Sequence, residues 1–189
     1  MRCAECGERE FSAATETLDY SGTLPGVSLL GVEVETCKGC GETYTRIPAL
    51  SSLHRALARL VVLKEARLAA PEIRFLRKWL SLTGVDLAGV IGVAPETVSR
   101  WENGREAMCV SADRLLRAVV LEGLSIRPSL RRLLPATAQP DGEEFTATLR
   151  PLAGRWRVEN ATGVIEAKFL RDRDGDCRSQ RARLRRVVQ

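Results

Sequence analysis

The chain has 189 residues, 44% of them hydrophobic, which is the composition of an ordinary globular protein with room for one or two domains and a real apolar core. No run approaches the roughly 18 apolar residues of a membrane span, and the charged start MRCAECGERE lacks the apolar stretch of a signal peptide, so the expected location is cytoplasmic. The net charge of +5 is uneven: residues 1–47 hold four Lys/Arg against eight Asp/Glu, residues 48–134 fourteen against eight, and residues 135–189 eleven against eight, so a polyanion should be drawn to the middle and repelled by the head.

The head carries two matching pairs, Cys3-Ala-Glu-Cys6-Gly7 and Cys37-Lys-Gly-Cys40-Gly41. Two residues between thiolates let both sulfurs reach one ion from a single tight turn, and the following Gly supplies a backbone conformation that other residues reach only at a cost. Cys3, Cys6, Cys37 and Cys40 are therefore expected to hold one structural Zn²⁺, with no open position for catalysis. A reducing compartment argues against two disulfides, and the absence of a βαβ context argues against a redox CxxC. Between the pairs, Phe11 to Tyr20 and Val27 to Glu35 are rich in Thr, Val and aromatic residues and read as antiparallel strands. Residues 1–47 are thus a zinc ribbon, in which the metal substitutes for a core that so short a segment cannot build.

From Pro48 the pattern turns helical, with Leu53, Leu57, Leu60, Val61 and Leu68 at three- and four-residue steps, and residues 48–70 read as a linker helix. His54, the only histidine, lies on it and receives no role, since a lone His on a helix is most often a surface residue. Pro71-Glu72 opens the next helix, where Ile73, Leu76 and Leu80 form one apolar stripe and Phe75, Trp79 and Leu82 another, so it should pack on both sides. The second stripe meets the linker helix, another subunit or the interior of its own domain.

Thr83 to Gly104, TGVDLAGVIGVAPETVSRWENG, holds two short helices. Thr83 caps the first and Asp86 returns the bond, Leu87, Val90 and Ile91 give it an apolar side, and Gly92 ends it. Pro95 suits the first turn of the second helix, whose Val98 and Trp101 face inward while Glu96, Arg100 and Asn103 face out. Two helices across a tight Gly turn, with polar and basic groups outward on the second, form the helix-turn-helix pattern. The segment resembles the Xre/Cro-type family of helix-turn-helix domains in its wording, GVAPETVSRWENG above all. It departs at Gly84, where the family usually has a phosphate-contacting Gln, and at Ala94, where a Ser usually caps the recognition helix. Ser111 then caps a helix bearing Leu115, Leu116, Val119 and Val120 that Gly123 ends, and Pro128 begins a last short helix stopped by Pro135.

Residues 136–141 read as a linker. Phe145 to Leu170 read as a hairpin, with Trp156 and Val158 on one strand, Asn160-Ala-Thr-Gly163 as the turn, and Ile165, Ala167 and Phe169 on the other. Arg178 to Gln189 holds five Arg and reads as a basic tail, and Cys109 and Cys177 lack partners at ligand spacing and read as free thiols. The expected fold class is α+β multidomain: a zinc ribbon at 1–47, a linker helix at 48–70, an all-α lambda-repressor-like helix-turn-helix domain at 71–135, and a C-terminal extension at 136–189 with a small β-hairpin.

A four-cysteine ribbon of the form CxxCG…CxxCGE, a helical linker and an Xre-like helix-turn-helix, in that order, is similar to the MqsA family of antitoxins with a YgiT-type zinc finger. The resemblance covers residues 1–134. It implies a homodimeric transcriptional regulator that binds double-stranded operator DNA, represses its own operon and neutralises a ribonuclease toxin through its zinc half, with a stand-alone regulator as the alternative. The DNA contacts are expected on Glu96, Thr97, Ser99, Arg100, Asn103 and Arg105; Arg100 falls where the family places a base-contacting Arg, whereas Glu96 sits where a smaller or amide residue is often found. An enzyme is the weakest reading, because a single His offers no plausible Ser/His/Asp set and no phosphate-cradling Gly loop is present.

Overall fold

A computed structural model describes residues 2–126, 137–139 and 142–165, so the expected helix at Pro128, the basic tail and Cys177 lie outside the described residues. Three strands come first, β1 (Phe11–Asp19), β2 (Val27–Cys37) and β3 (Thr43–Arg46). Five helices follow, α1 (Leu50–Val62), α2 (Ala70–Trp79), α3 (Gly84–Ile91), α4 (Pro95–Glu102) and α5 (Val110–Gly123), and then two more strands, β4 (Thr146–Leu152) and β5 (Arg155–Thr162). The third ribbon strand, β3, carries no period-2 apolar signal and was not expected; it forms because the turn through Cys37 to Cys40 returns the chain along β2.

All five strands share one sheet. β2 pairs antiparallel with β1 along one side, and its other side is divided: Glu33 to Thr36 pair with β3, while Val27 to Leu29 pair in parallel with Ala147 to Leu149 of β4. The C-terminal strands are therefore part of the ribbon's sheet and not a separate extension. The reversal between β4 and β5 also lies elsewhere than expected, at Ala153-Gly154, both with positive φ (48° and 75°), whereas Asn160 to Thr162 belong to β5 itself. The register explains this, since Thr146 faces Thr162 with their Oγ1 atoms 2.8 Å apart, extending the ladder past the NATG segment.

Helix α1 is the centre of the core. Leu53, Leu57, Ala58, Leu60, Val61 and Val62 are all fully buried, and one continuous apolar cluster runs from Leu24, Leu29 and Val32 of the ribbon through α1 to Leu76, Leu87, Val98, Leu116 and Val120. The expected single linker helix over 48–70 is instead a 13-residue helix followed by an extended strap, residues 63–67. The chain beyond α5 pins this strap: Arg67 N–H donates to Gln139 C=O, Gln139 N–H to Glu65 C=O, Glu65 N–H to Gly163 C=O and Ile165 N–H to Leu63 C=O.

From the other side Arg117, fully buried on α5, donates to the carbonyls of Val62 (3.1 Å), Lys64 and Ala66 (2.7 Å) and to Asp113 (2.5 Å). Asp113 in turn accepts Leu68 N–H at 2.7 Å, and the buried Lys64 and Glu72 pair at 2.8 Å. A buried charge is tolerated only when paired and hydrogen-bonded, and here each one is.

On α2, Ile73, Phe75 and Leu76 are buried, and the second apolar stripe is divided: the Phe75 ring sits edge-on to His54 of α1 at 5.7 Å, while Trp79 lies against Gly123 at the end of α5. His54 is thus half-buried at a junction, with Nε2 3.0 Å from the Tyr20 hydroxyl, and not a plain surface residue. Burial holds its pKa below the ordinary 6.5. The cap of α5 is Cys109, with Ser111 already inside the first turn.

Candidate metal centre and nucleic-acid interface

The two cysteine knuckles are built alike. Gly7 N–H donates to Cys3 C=O at 3.1 Å and Gly41 N–H to Cys37 C=O at 2.9 Å, each Gly has φ 78°, and each turn closes with the first Cys N–H on the carbonyl five residues later, Glu8 or Glu42, at 2.8 Å. The left-handed φ is why Gly follows each pair. The knuckles face one another, with Cys3 and Cys40 Sγ 3.5 Å apart, Cys6 and Cys37 Sγ 3.5 Å apart, and all four sulfurs within 4.8 Å. A tetrahedral ion with metal–sulfur bonds of about 2.3 Å needs sulfurs about 3.8 Å apart, so this set has the size of a closed tetrathiolate metal site.

Charge points the same way. The Tyr44 hydroxyl, 3.4 Å from Cys3 Sγ, and the Cys6 amide hold the Cys3 thiol down at about 6. Cys40 is pushed up to about 12: the Glu42 amide favours its thiolate, but the three neighbouring sulfurs and burial outweigh it. Thiolates this close repel, and a central cation is what lets all four ionise. Tyr44 accepts Ala4 N–H at 2.9 Å and stacks edge-on to Phe11, fixing the first knuckle from β3. Reading the sequence missed it, because a Tyr in a polar segment has no spacing that ties it to the cysteines.

The second feature begins at Thr83, whose Oγ1 accepts Asp86 N–H at 3.1 Å while Asp86 Oδ2 accepts Thr83 N–H at 2.9 Å, a complete capping box. The Thr83 hydroxyl and then its amide hold the Asp86 carboxyl below its usual range. Gly92, at φ 80°, closes α3, and α4 starts on Ala94 with no side-chain cap. Of the expected apolar face of α3 only Leu87 is buried, joined by Ala88; Ile91 is half-buried, and Val90 is exposed beside Val85. On α4 the expected inward pair, Val98 and Trp101, is buried. Its C-terminal end is tied to α2 by a two-pronged ion pair, Arg77 Nε and Nη2 to the two Glu102 carboxylate oxygens at 2.5 and 2.8 Å.

Glu96, Ser99, Arg100, Asn103 and Arg105 are exposed and Thr97 is half-buried. Arg100 is already oriented: Nε donates to Glu106 at 2.8 Å and Nη2 to Thr97 Oγ1 at 3.0 Å, leaving the outer Nη1/Nη2 edge open. That edge is the fork that matches guanine O6 and N7. Asn103 has its bonds at home, its amide donating to Ser99 C=O at 2.8 Å and its carbonyl accepting from Arg74 at 3.1 Å, so it finishes the helix end. Glu106 was not singled out from the sequence, since it lies beyond the helix in a segment with no periodicity. Among the described residues no helix is long and apolar enough to cross a membrane.

The family model described as the antitoxin component of bacterial toxin-antitoxin systems, MqsA, matches residues 1–122, from the first knuckle to the last turn of α5. No curated protein and no solved structure matches the chain.

Proposed function

The chain belongs to the MqsA antitoxin family, and from that premise we propose that it is a sequence-specific DNA-binding regulator, the antitoxin and autorepressor of a toxin-antitoxin pair. The observation that carries the DNA-binding half is the outer face of α4: Glu96, Thr97, Ser99 and Arg100, with Arg105 beyond, lie over a helix whose inner face, Val98 and Trp101, is sunk in the core. A rigid, short helix with a pre-aimed arginine suits major-groove reading, and a homodimer would present two such helices to a palindromic operator about one DNA turn apart.

Zn²⁺ is the metal we assign to Cys3, Cys6, Cys37 and Cys40, because closed all-thiolate tetrahedra are its structural sites; it supplies folding energy to the ribbon and no chemistry. The acidic ribbon, with exposed Glu16 and Asp19 on β1, favours a basic ribonuclease toxin as the protein ligand. The test is coexpression with the product of the adjacent gene: if that product is the toxin, the intact protein should copurify with it and restore growth, and Glu16→Lys with Asp19→Lys should weaken both. One observation favours the stand-alone alternative, namely that β4, beyond the family match, occupies part of the β2 edge. Absence of any copurifying toxin, with operator binding intact, would select it.

A further inference from the structure

Residues 63–67 carry the chain from α1 into the helix-turn-helix half, and the two edges of this strap are held by different parts of the sequence. Along one edge the carbonyls of Val62, Lys64 and Ala66 accept from the fully buried Arg117, so that edge is complete within the residues that the family model matches. Along the other, the odd-numbered residues Leu63, Glu65 and Arg67 pair with Gln139, Gly163 and Ile165 through four main-chain hydrogen bonds of 2.8–3.2 Å, and all three partners lie beyond the match. The later segment is shaped for this contact. Gly142 lies so close to the strap that a Cβ there would sit 2.5 Å from Ala66 N and 2.6 Å from its Cα, and Gly163, at φ 63°, would press a Cβ against the Glu143 and Glu144 carbonyls at 2.6 and 2.8 Å.

We propose that Gln139, Gly142 and residues 163–165 form a latch that ties the order of the strap to the ribbon's sheet, so that lifting β4 off β2 releases the strap and loosens the seating of α4. The latch is separable because Glu65 is half-buried and Arg67 exposed, so water can take over its four bonds, whereas Arg117 keeps its own edge inside the core. It reaches the ribbon because the β4–β5 ladder ends with Thr146 opposite Thr162, one residue before Gly163, while Ala147 to Leu149 of β4 pair with Val27 to Leu29 of β2. Gly26 marks that junction: its carbonyl accepts Ala147 N–H at 2.9 Å, and a Cβ on it would collide with Phe145 C=O. It reaches the helix-turn-helix half because the strap runs directly into Leu68, whose N–H is bonded to Asp113 at 2.7 Å, and into the Lys64–Glu72 pair at the start of α2, the helix whose Arg77 grips Glu102 on α4. A two-state element biased from both ends is what carries coupling between distant sites. The consequence for α4 rests on its being the DNA-reading helix; the opening of the strap does not.

The experiment follows amide hydrogen exchange by NMR on the full-length zinc-loaded protein. In wild type the Glu65 and Arg67 amides should exchange through a local opening that depends weakly on sub-denaturing urea, while the Leu68 and Leu57 amides follow the steep urea dependence of global unfolding. Gly142→Ala, which wedges the latch from the strap, and Gly26→Ala, which wedges β4 from β2, should each speed exchange at Glu65 and Arg67 by about tenfold or more beyond any change at Leu68, with zinc content unchanged. Both should weaken binding to a duplex from upstream of the coding region by about threefold or more. Exchange at Glu65 and Arg67 that shares the urea dependence of Leu57 in wild type, or that changes no more than Leu68 in Gly26→Ala, would overturn the latch. Faster strap exchange with operator affinity unaltered would overturn its coupling to α4. A wild type that binds no upstream duplex would instead fault the DNA-reading role, and the two strap amides would still decide the latch.

Discussion

Replacing Arg117 by Met should destabilise the protein more than any surface change. Arg117 is fully buried, and its guanidinium neutralises Asp113 and satisfies the carbonyls of Val62, Lys64 and Ala66. Met fills much of the volume but donates nothing. Stranding the Asp113 charge costs about 3–5 kcal/mol, and leaving even one strap carbonyl without a donor adds about 1–3 kcal/mol. Because water or a small shift of the strap relieves part of this, we expect about 4–6 kcal/mol in total, a large share of the 5–15 kcal/mol that a domain has. Urea unfolding followed by Trp fluorescence measures it. The double variant Arg117→Met, Asp113→Leu removes both charges and should recover about half of the loss, although Leu68 N–H then lacks its acceptor. A single-variant loss below 1 kcal/mol, or a double variant worse than the sum of the two single changes, would refute the account of this cluster.

Three other outcomes are expected. His54 has a folded pKa below 6.5 because burial opposes its charge, so its contribution to stability is complete above pH 6.5 and is lost as pH falls from there through the folded value; the melting temperature should drop over that window, and His54→Gln should flatten that drop. Glu106→Ala should narrow the preference of the protein for its operator over scrambled DNA by about 1.4- to 5-fold, the worth of an exposed ion pair, while nonspecific binding tightens because a negative charge near the phosphates is gone; fluorescence anisotropy on both duplexes reads the two effects separately. Cys40→Ser should abolish stoichiometric zinc by elemental analysis and expose the ribbon to protease, since three thiolates no longer close the tetrahedron.

What the sequence made legible is what local spacing encodes. The CxxCG knuckles, the Thr83 to Asp86 box, the Gly92 stop and the inward Val98 and Trp101 are each fixed by residues a few positions apart, and the structure has all of them. The parallel pairing of Val27 to Leu29 with Ala147 to Leu149 joins segments about 120 residues apart and leaves no periodic mark on either, so the C-terminal strands read as an appendage. Arg117 reads as a polar position on an amphipathic helix, and only the strap carbonyls that surround it make it a core residue. The turn at Ala153-Gly154 was passed over for Asn160 to Gly163 because the latter has the stronger turn chemistry; the tertiary ladder to Thr146 overrode it. In the site, Tyr44 and Glu106 escaped for the same reason, each acting on a residue that lies outside any pattern it belongs to.

The most direct test of the proposed regulator is the affinity of wild type and Arg100→Ala for a duplex from upstream of its own coding region and for variants of that duplex with single base pairs changed in each half-site. If Arg100 forks onto a guanine, the substitution costs about 1–3 kcal/mol on the operator and removes discrimination at one base pair per half-site, leaving the other positions as selective as before. A uniform loss across all duplexes would make Arg100 a phosphate contact, and no preference of the wild type for any upstream duplex would contradict the DNA-reading role of α4 altogether.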